Sequence, residues 1–292
     1  MKQMLLWWSM IAIFLCGPAV ISQVRPDQNQ SADDLVRQMV SNELKALDQD
    51  HTCWMYRLET EKGGTGEVLE VAETKQGDLT RLVAKGGQPL SDEQRKEEDQ
   101  RTEEFIKNPE RQRKRQQEQD EDIRKAKQLL ALLPDALNFS FAERNGDTVK
   151  LTFQPNPAFH PPSREAHAFH EMEGQVILDG KQGRLVEING HLKNAVHFGI
   201  LGHLDPGGTF DVRQEEVAPN HWEITFLRVN MKGKALFFKT INVQQNEMRS
   251  HFHQVPETLT LTQAMDLLQK QDAVPMAPGH AGILTNQVRP AA

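Results

Sequence analysis

Apolar and polar residues alternate along much of the second half of the chain, which predicts β-strands. In the segment Gly174–Gly190 two short apolar runs flank Asp179-Gly-Lys-Gln-Gly183, whose glycines can adopt the positive φ of a tight reversal. Further extended segments follow at close intervals, separated by Gly or Pro. They are Ala195–Leu204, Thr209–Val217, Trp222–Met231, Leu236–Gln244 and Met248–His253. This rhythm is typical of an antiparallel meander.

The first half combines a helix with more strands. After Ser31, a favourable N-cap, the apolar residues Leu35, Met39, Val40, Leu44 and Leu47 follow three-to-four spacing and predict an amphipathic helix. Extended runs with glycine-containing or polar turns follow this helix at Cys53–Glu61, Gly66–Thr74, Asp78–Lys85, Asn138–Phe141 and Thr148–Phe153. A last amphipathic helix is predicted from Thr262 to Leu268.

The segment Ser91–Lys127 has a different character. It contains twelve acidic and eleven basic residues, a near balance that favours solvated helices with i,i+4 ion pairs. We expect a break near Asn108-Pro109, an apolar anchor at Leu129–Leu133, and an end to the helix at Pro134. This charged arm would be an insertion at 91–133 in a domain that covers 31–271.

Face alternation indicates which residues point together. Trp222, Ile224 and Phe226 are predicted to share one face of their strand, and Leu227 with Val229 and Met231 the other. A strand that is apolar on both sides must be covered on both sides, by helices or by a bound apolar molecule. The candidate ligand-lining residues chosen by this alternation are Phe210, Trp222, Ile224, Phe226, Phe237 and Ile241. The alternative is that these side chains simply pack on the helices at Ser31–Leu47 and Thr262–Leu268.

The start of the chain resembles a secretory signal. Lys2 precedes an apolar run that ends before Gly17-Pro18, and Val20-Ile21-Ser22 offers a cleavage site, so residues 1–22 are expected to direct export. Residues 23–30 would form a flexible leader, and the Pro-, Gly- and Ala-rich tail 272–292 is predicted to be disordered. After cleavage Cys53 is the only cysteine, so no internal disulfide is expected and a buried free thiol is favoured.

Composition narrows the function classes. The chain of 292 residues has a formal net charge of −7, which opposes nucleic-acid binding on average. The basic cluster at Arg111–Arg115 lies among acidic residues and lacks interleaved aromatics for base stacking.

No sequence motif for catalysis was found. There is no glycine-rich phosphate loop, nucleophile elbow or paired-cysteine motif, so an enzyme and a cofactor are not expected. The histidine pairs His167 with His170 and His251 with His253 are the only metal-like pattern, and surface histidines are the favoured interpretation over a metal site.

The order of elements resembles the periplasmic carrier and receptor of outer-membrane lipoproteins. The strand–turn–strand of Met172–Asp179 and Gly183–Ile188 is similar to the meander strands of that family. Other stretches, Phe159–Glu165, Leu201–Phe210 and Gly233–Ile241, look like those of uncharacterised bacterial secreted proteins. The resemblance implies an α+β fold: a curved, incompletely closed antiparallel sheet, or half-barrel, with helices on its concave side and an apolar cavity for acyl chains.

Two functions remain open from the sequence. The first is an exported, non-enzymatic protein of the periplasm or cell envelope that holds a lipid or acyl-chain ligand. The alternative is a periplasmic interaction or sensor protein that uses the sheet and the charged arm to bind an envelope protein partner.

Overall fold

The computed structural model describes residues 30–62, 64–198, 202–235 and 239–271. The predicted signal at 1–22, nearly all of the leader, the tail 272–292 and Phe237 lie outside the described residues. None of the helices within the described ranges is both long enough and apolar enough to cross a membrane.

Four α-helices and thirteen strands make up the described fold. The helices are α1 (Ala32–Gln49), α2 (Asp92–Ile106), α3 (Pro109–Ala136) and α4 (Leu261–Gln271), with a short 3-10 helix at Glu165–Glu171. The first eight strands are β1 (Cys53–Lys62), β2 (Thr65–Ala72), β3 (Leu79–Lys85), β4 (Gln88–Pro89), β5 (Leu137–Asn145), β6 (Thr148–Pro155), β7 (Met172–Asp179) and β8 (Arg184–Leu192). The remaining five are β9 (Val196–His197), β10 (Gly202–Leu204), β11 (Thr209–Ala218), β12 (His221–Ala235) and β13 (Lys239–Val255).

All the strands belong to one antiparallel sheet. Its order is β4-β3-β2-β1-β13-β12-β11-β8-β7-β6-β5, with β10 paired to β12 and β9 paired to β10. The sheet is not closed, because β4 and β5 end the order without pairing to each other. The predicted fold class, α+β with an incompletely closed antiparallel sheet and packed helices, is confirmed.

Helix α1 forms where the apolar spacing predicts it. The Ser31 hydroxyl accepts a hydrogen bond from the Asp34 N–H, while Asp34 accepts one from the Ser31 N–H, a capping box. The buried stripe includes Leu35, Met39 and Val40. This stripe packs on Val149 and Leu151 of β6 and on β7, so the helix is stabilised mainly by tertiary contact.

The charged arm is two helices, α2 and α3, divided at Asn108-Pro109 as predicted. It packs on the body more closely than its composition suggests, because Thr102 and Phe105 are buried and Phe105 joins a core cluster with β1 and α4. Glu98 accepts a hydrogen bond from the Leu82 N–H at 2.7 Å and so attaches α2 to β3.

Three predicted boundaries were wrong. Helix α3 continues past Pro134 to Ala136, because a proline near the last turn removes only one N–H while the Leu137 N–H still reaches the Leu133 carbonyl. The predicted strand Ala195–Leu204 is divided into β9 and β10, which pair with each other. The last two predicted strands contain no break among the described residues and form the single strand β13.

Candidate functional site

The largest apolar cluster, here called the apolar layer, lies between the sheet, the end of α3 and the 3-10 helix. Its buried members are Ala136, Leu137, Phe153, Ala166, Phe169, Leu192, Val196, Leu204, Phe210, Val212, Ile224, Leu227, Val229, Met231 and Ile241. Leu129, Leu132 and Leu133 of α3 pack against it, which places the predicted apolar anchor of the arm on the sheet.

Three of the six predicted lining residues are brought together in this layer. Phe210, Ile224 and Ile241 are all buried, with Ile224 only 1% exposed. They are therefore packed against other side chains of the protein, but these come from α3 and the 3-10 helix and not from α1 and α4, the helices that the alternative interpretation expected.

Phe226 lies on the opposite face of the sheet from Ile224, contrary to the predicted alternation. Between Phe226 and Ile224 the pairing with β11 shifts by one residue, because Thr225 is extra on β12 and forms a β-bulge. A bulge reverses the side-chain alternation beyond it. Phe226 is consequently partly exposed between the guanidinium groups of Arg213 and Arg228, whose Cζ atoms lie 4.9 and 5.0 Å from its ring centroid.

Trp222 is buried outside the apolar layer. Its indole Nε1 donates to Gln182 Oε1 at 3.0 Å, and the Arg184 guanidinium lies over its ring at 5.8 Å. Trp222 therefore packs at the turn between β7 and β8. The sixth predicted residue, Phe237, lies outside the described residues.

The margin of the apolar layer is incompletely covered. Phe139, Phe159 and Phe198 are partly exposed and pack against the buried members from three different segments of the chain. The ring centroids of Phe159 and Phe169 lie 6.2 Å apart in an edge-on contact, and those of Phe139 and Phe153 lie 6.1 Å apart. These aromatic side chains are among the partly exposed members of the layer.

The end of the β11–β12 hairpin, residues 214–225, is here called the hairpin tip. The pairing of β11 with β8 ends at Arg213, and that of β12 with β13 begins at Phe226, so within the described ranges the tip pairs only with itself. In its turn Pro219 is followed by Asn220, which has a positive φ of 65°. A proline followed by a residue with positive φ is typical of a type II turn. Side-chain contacts therefore hold the tip in place.

Under the hairpin tip is a group of polar and aromatic side chains that are buried, or partly buried in the case of His221 and Arg249, here called the polar junction. Its members come from five places in the chain: Asp50, Trp54, Tyr56, Glu73, His221, Glu223 and Arg249. The Trp54 N–H donates to Glu73 Oε2 at 2.9 Å, and the Trp54 ring meets His221 at 5.5 Å. Arg249 lies over the Tyr56 ring at 5.6 Å.

Some polar atoms of the junction lack partners. Glu223 is 3% exposed, and its Oε1 has no hydrogen-bond partner among the residues that the structure describes; the same is true of Arg249 Nε. The second nitrogen Nη2 of Arg249 pairs with Glu247 Oε2 at 3.1 Å. Buried polar atoms without partners cost free energy, so the ionised state of this cluster is disfavoured.

Burial shifts the acid–base chemistry of the junction. Desolvation raises the pKa of Glu73 well above its ordinary value, and the negative charges of Asp78 and Glu223 raise it further. Desolvation likewise raises the pKa of Glu223 well above its ordinary value, while Arg249 acts in the opposite direction. At a given pH both carboxyls are therefore protonated to a greater extent in the folded protein than in the unfolded chain.

Cys53 is on the opposite side of β1 from this cluster. Burial, followed by the negative charge of Glu73, raises the pKa of its thiol to about 11. The predicted buried free thiol is confirmed, and the raised pKa disfavours the nucleophilic thiolate at neutral pH.

A buried ion pair joins helix α1 to the sheet beside the junction. Arg184 Nε donates to Glu43 Oε1 at 2.8 Å, and the Leu185 N–H donates to the same carboxylate oxygen at 3.0 Å. The Glu43 side chain is 1% exposed, so its charge depends on these partners.

The histidine pattern does not assemble a metal centre. His167 and His170 lie on the 3-10 helix with ring centroids 6.5 Å apart. Among the described residues no group of three or more His, Cys, Asp or Glu side chains is placed to hold a metal ion.

Sequence reasoning missed the polar junction. Glu73 and Glu223 each stand singly in strand-like runs, and no short motif connects them. The one available signal was a charged residue directly between apolar neighbours, as in Trp222-Glu223-Ile224. Only the fold brings these positions together.

No protein-family model, no curated protein and no solved structure matches this chain.

Proposed function

We propose that this protein is an exported, non-enzymatic binding protein that holds an apolar ligand, an acyl chain or the lipid of a lipoprotein, in the cell envelope. The observation that carries the proposal is the incompletely covered margin of the apolar layer. There Phe139, Phe159 and Phe198 present aromatic surface that is continuous with a buried core. The resemblance to the lipoprotein carriers and the signal-like start of the sequence agree with this role and with an envelope location.

The expected affinity follows from burial. Each methylene group removed from water contributes about 0.8 kcal/mol, so ten of them contribute roughly 8 kcal/mol, the scale of a micromolar complex before ordering costs. Because Ile224 and Phe210 are packed against other side chains, the acyl chain of the ligand would bind at the margin of the apolar layer. There it would displace contacts between partly exposed side chains rather than fill an open cavity.

A fluorescent long-chain fatty acid tests the proposal directly. We expect saturable binding to the wild-type protein and at least about tenfold weaker binding after Phe159→Asp or Phe198→Asp. Phe226→Asp is the matched control: it is also a partly exposed phenylalanine of the same sheet region, but its ring is on the other face.

Unfolding curves for the three variants would establish that each is folded before binding is compared. Equal loss of binding in all three variants, or no saturable binding to the wild type together with lipid-free protein on native mass spectrometry, would contradict the proposal.

The alternative role of the charged arm in capturing a protein partner needs a gentler test than deletion. Because Thr102 and Phe105 of the arm are buried against the body, removing residues 91–127 would expose the core. No contact of the described residues favours this second role, and it stays a prediction.

A further inference from the structure

The hairpin tip and the polar junction are structurally linked. Among the described residues no neighbouring strand pairs with the tip on either side, so its position depends on contacts of its side chains with the end of α1, β1 and the β7–β8 turn. Gln182 in that turn bonds both Trp222 and Glu216 of the tip, at 3.0 and 3.1 Å. Glu223, the buried acid of the tip, faces the interior.

The contacts on the other side of the tip are aromatic and polar. His221 Nδ1 lies 3.4 Å from Asp50 Oδ2 at the end of α1, and its ring meets Trp54. Val217 and Ala218 of the tip pack against the cluster of Trp54 and Tyr56. The tip therefore covers two aromatic rings of β1, which separation of the tip would expose.

The charges around Glu73 and Glu223 do not balance. Titratable and charged groups reach this region from every element packed there. The acidic ones are Asp50 after α1, Asp78 after β2 and Glu247 on β13, and the cationic ones are Arg115 on α3, Arg184 on β8 and Arg249 on β13. Tyr56 on β1 and His221 on the tip complete the set. Arg184 already pairs with Glu43, and Arg249 with Glu247. Arg249 offsets part of the charge on ionised Glu73 and Glu223, and the backbone N–H of Trp54 offsets part of that on Glu73, but desolvation is the larger effect on both acids. The two carboxylates would also repel each other, and the tip is the element that can move away.

We propose that the hairpin tip is a proton-controlled flap: it stays closed over Trp54 and Tyr56 while Glu73 and Glu223 are uncharged, and it separates from β1 when they ionise. In the open state water would reach both carboxylates, which removes the desolvation cost of their charges. The device would couple the exposure of an aromatic surface to the pH of the surroundings.

The direction of the pH effect follows from proton binding. The pKa values of both acids are raised above the ordinary 4.5, so above that pH the closed state retains protons that an open or unfolded state has lost. Closing of the flap therefore becomes less favourable as the pH rises from 4.5 through the raised pKa values of Glu73 and Glu223. Each retained proton changes the closing equilibrium by up to about tenfold per pH unit.

Hydrogen exchange of the full chain between pH 5 and pH 9 tests the flap. The exchange rate of peptides from residues 214–225 is divided by that of peptides from the β5–β6 hairpin in the same sample. The general increase of exchange with pH cancels in this ratio. We expect the ratio to rise with pH in the wild type. Glu73→Gln and Glu223→Gln, which keep the shape of the neutral acid, should reduce this rise at least several-fold.

Glu59→Gln on β1 is the control, because it removes one carboxyl at a partly exposed position away from the junction. It should leave the ratio unchanged. A constant ratio in the wild type overturns the proposal, even if neither glutamine variant folds. So does a rising ratio that Glu73→Gln and Glu223→Gln leave intact.

Discussion

The apolar layer and the polar junction share strands β12 and β13, yet they are held together in different ways. In the apolar layer Leu227 and Met231 contribute only by leaving water, and any nearby apolar side chain satisfies them. In the junction Glu223 and Arg249 need specific partners, and some of their atoms lack one among the described residues. The stability of the apolar layer should therefore depend mainly on side-chain volume, and that of the polar junction mainly on side-chain charge.

Breaking the buried ion pair beside the junction should have the largest effect. Arg184→Met leaves Glu43 buried without its cationic partner, which we expect to lower the free energy of unfolding by about 3–5 kcal/mol. Urea denaturation at pH 7 measures this. The double variant Glu43→Gln with Arg184→Met should recover part of the loss; if it is as unstable as the two single losses added together, the pair does not act as a unit.

A loss of side-chain volume in the apolar layer should lower the free energy of unfolding somewhat less, on average, than breaking the ion pair. Leu227→Ala removes a fully buried side chain from the centre of β12 and should lower the free energy of unfolding by about 2–5 kcal/mol. Leu132→Ala, on the partly exposed side of α3 over the same layer, is the matched control with a smaller expected cost. Equal costs at the two positions would mean that the layer is not tightly packed at Leu227.

The smallest effects should be local, at the starts of two helices that belong to neither region. Ser31 caps α1, which packs on β6 and β7, and Ser91 caps α2, which packs on β3; both form capping boxes. Ser31→Ala and Ser91→Ala should each cost about 1 kcal/mol in thermal or urea unfolding. A large difference between them would show that one helix is coupled more tightly to global unfolding than the other.

Much of the fold could be predicted from the sequence because it depends on local periodicity. The spacing of Leu35 and Met39 identifies α1, and alternation with turn residues identifies the strands that form one sheet. The division of the charged arm at Asn108-Pro109 followed from the geometry of proline. The same periodicity could not predict the bulge at Thr225, because a bulge is set by pairing with β11, and it moved Phe226 away from Ile224.

The amino-acid sequence by itself determined the elements, their antiparallel class and the residues that must leave water, since each of these depends on neighbours within a few positions. Only the tertiary structure decided which buried side chains meet. Glu73 and Glu223 are 150 positions apart and come together because the hairpin tip, which carries Glu223, packs on β1, and β1 holds Glu73 through hydrogen bonds with Trp54. Desolvation and charge repulsion depend on distances in space, so the chemistry of the polar junction exists only in the folded chain.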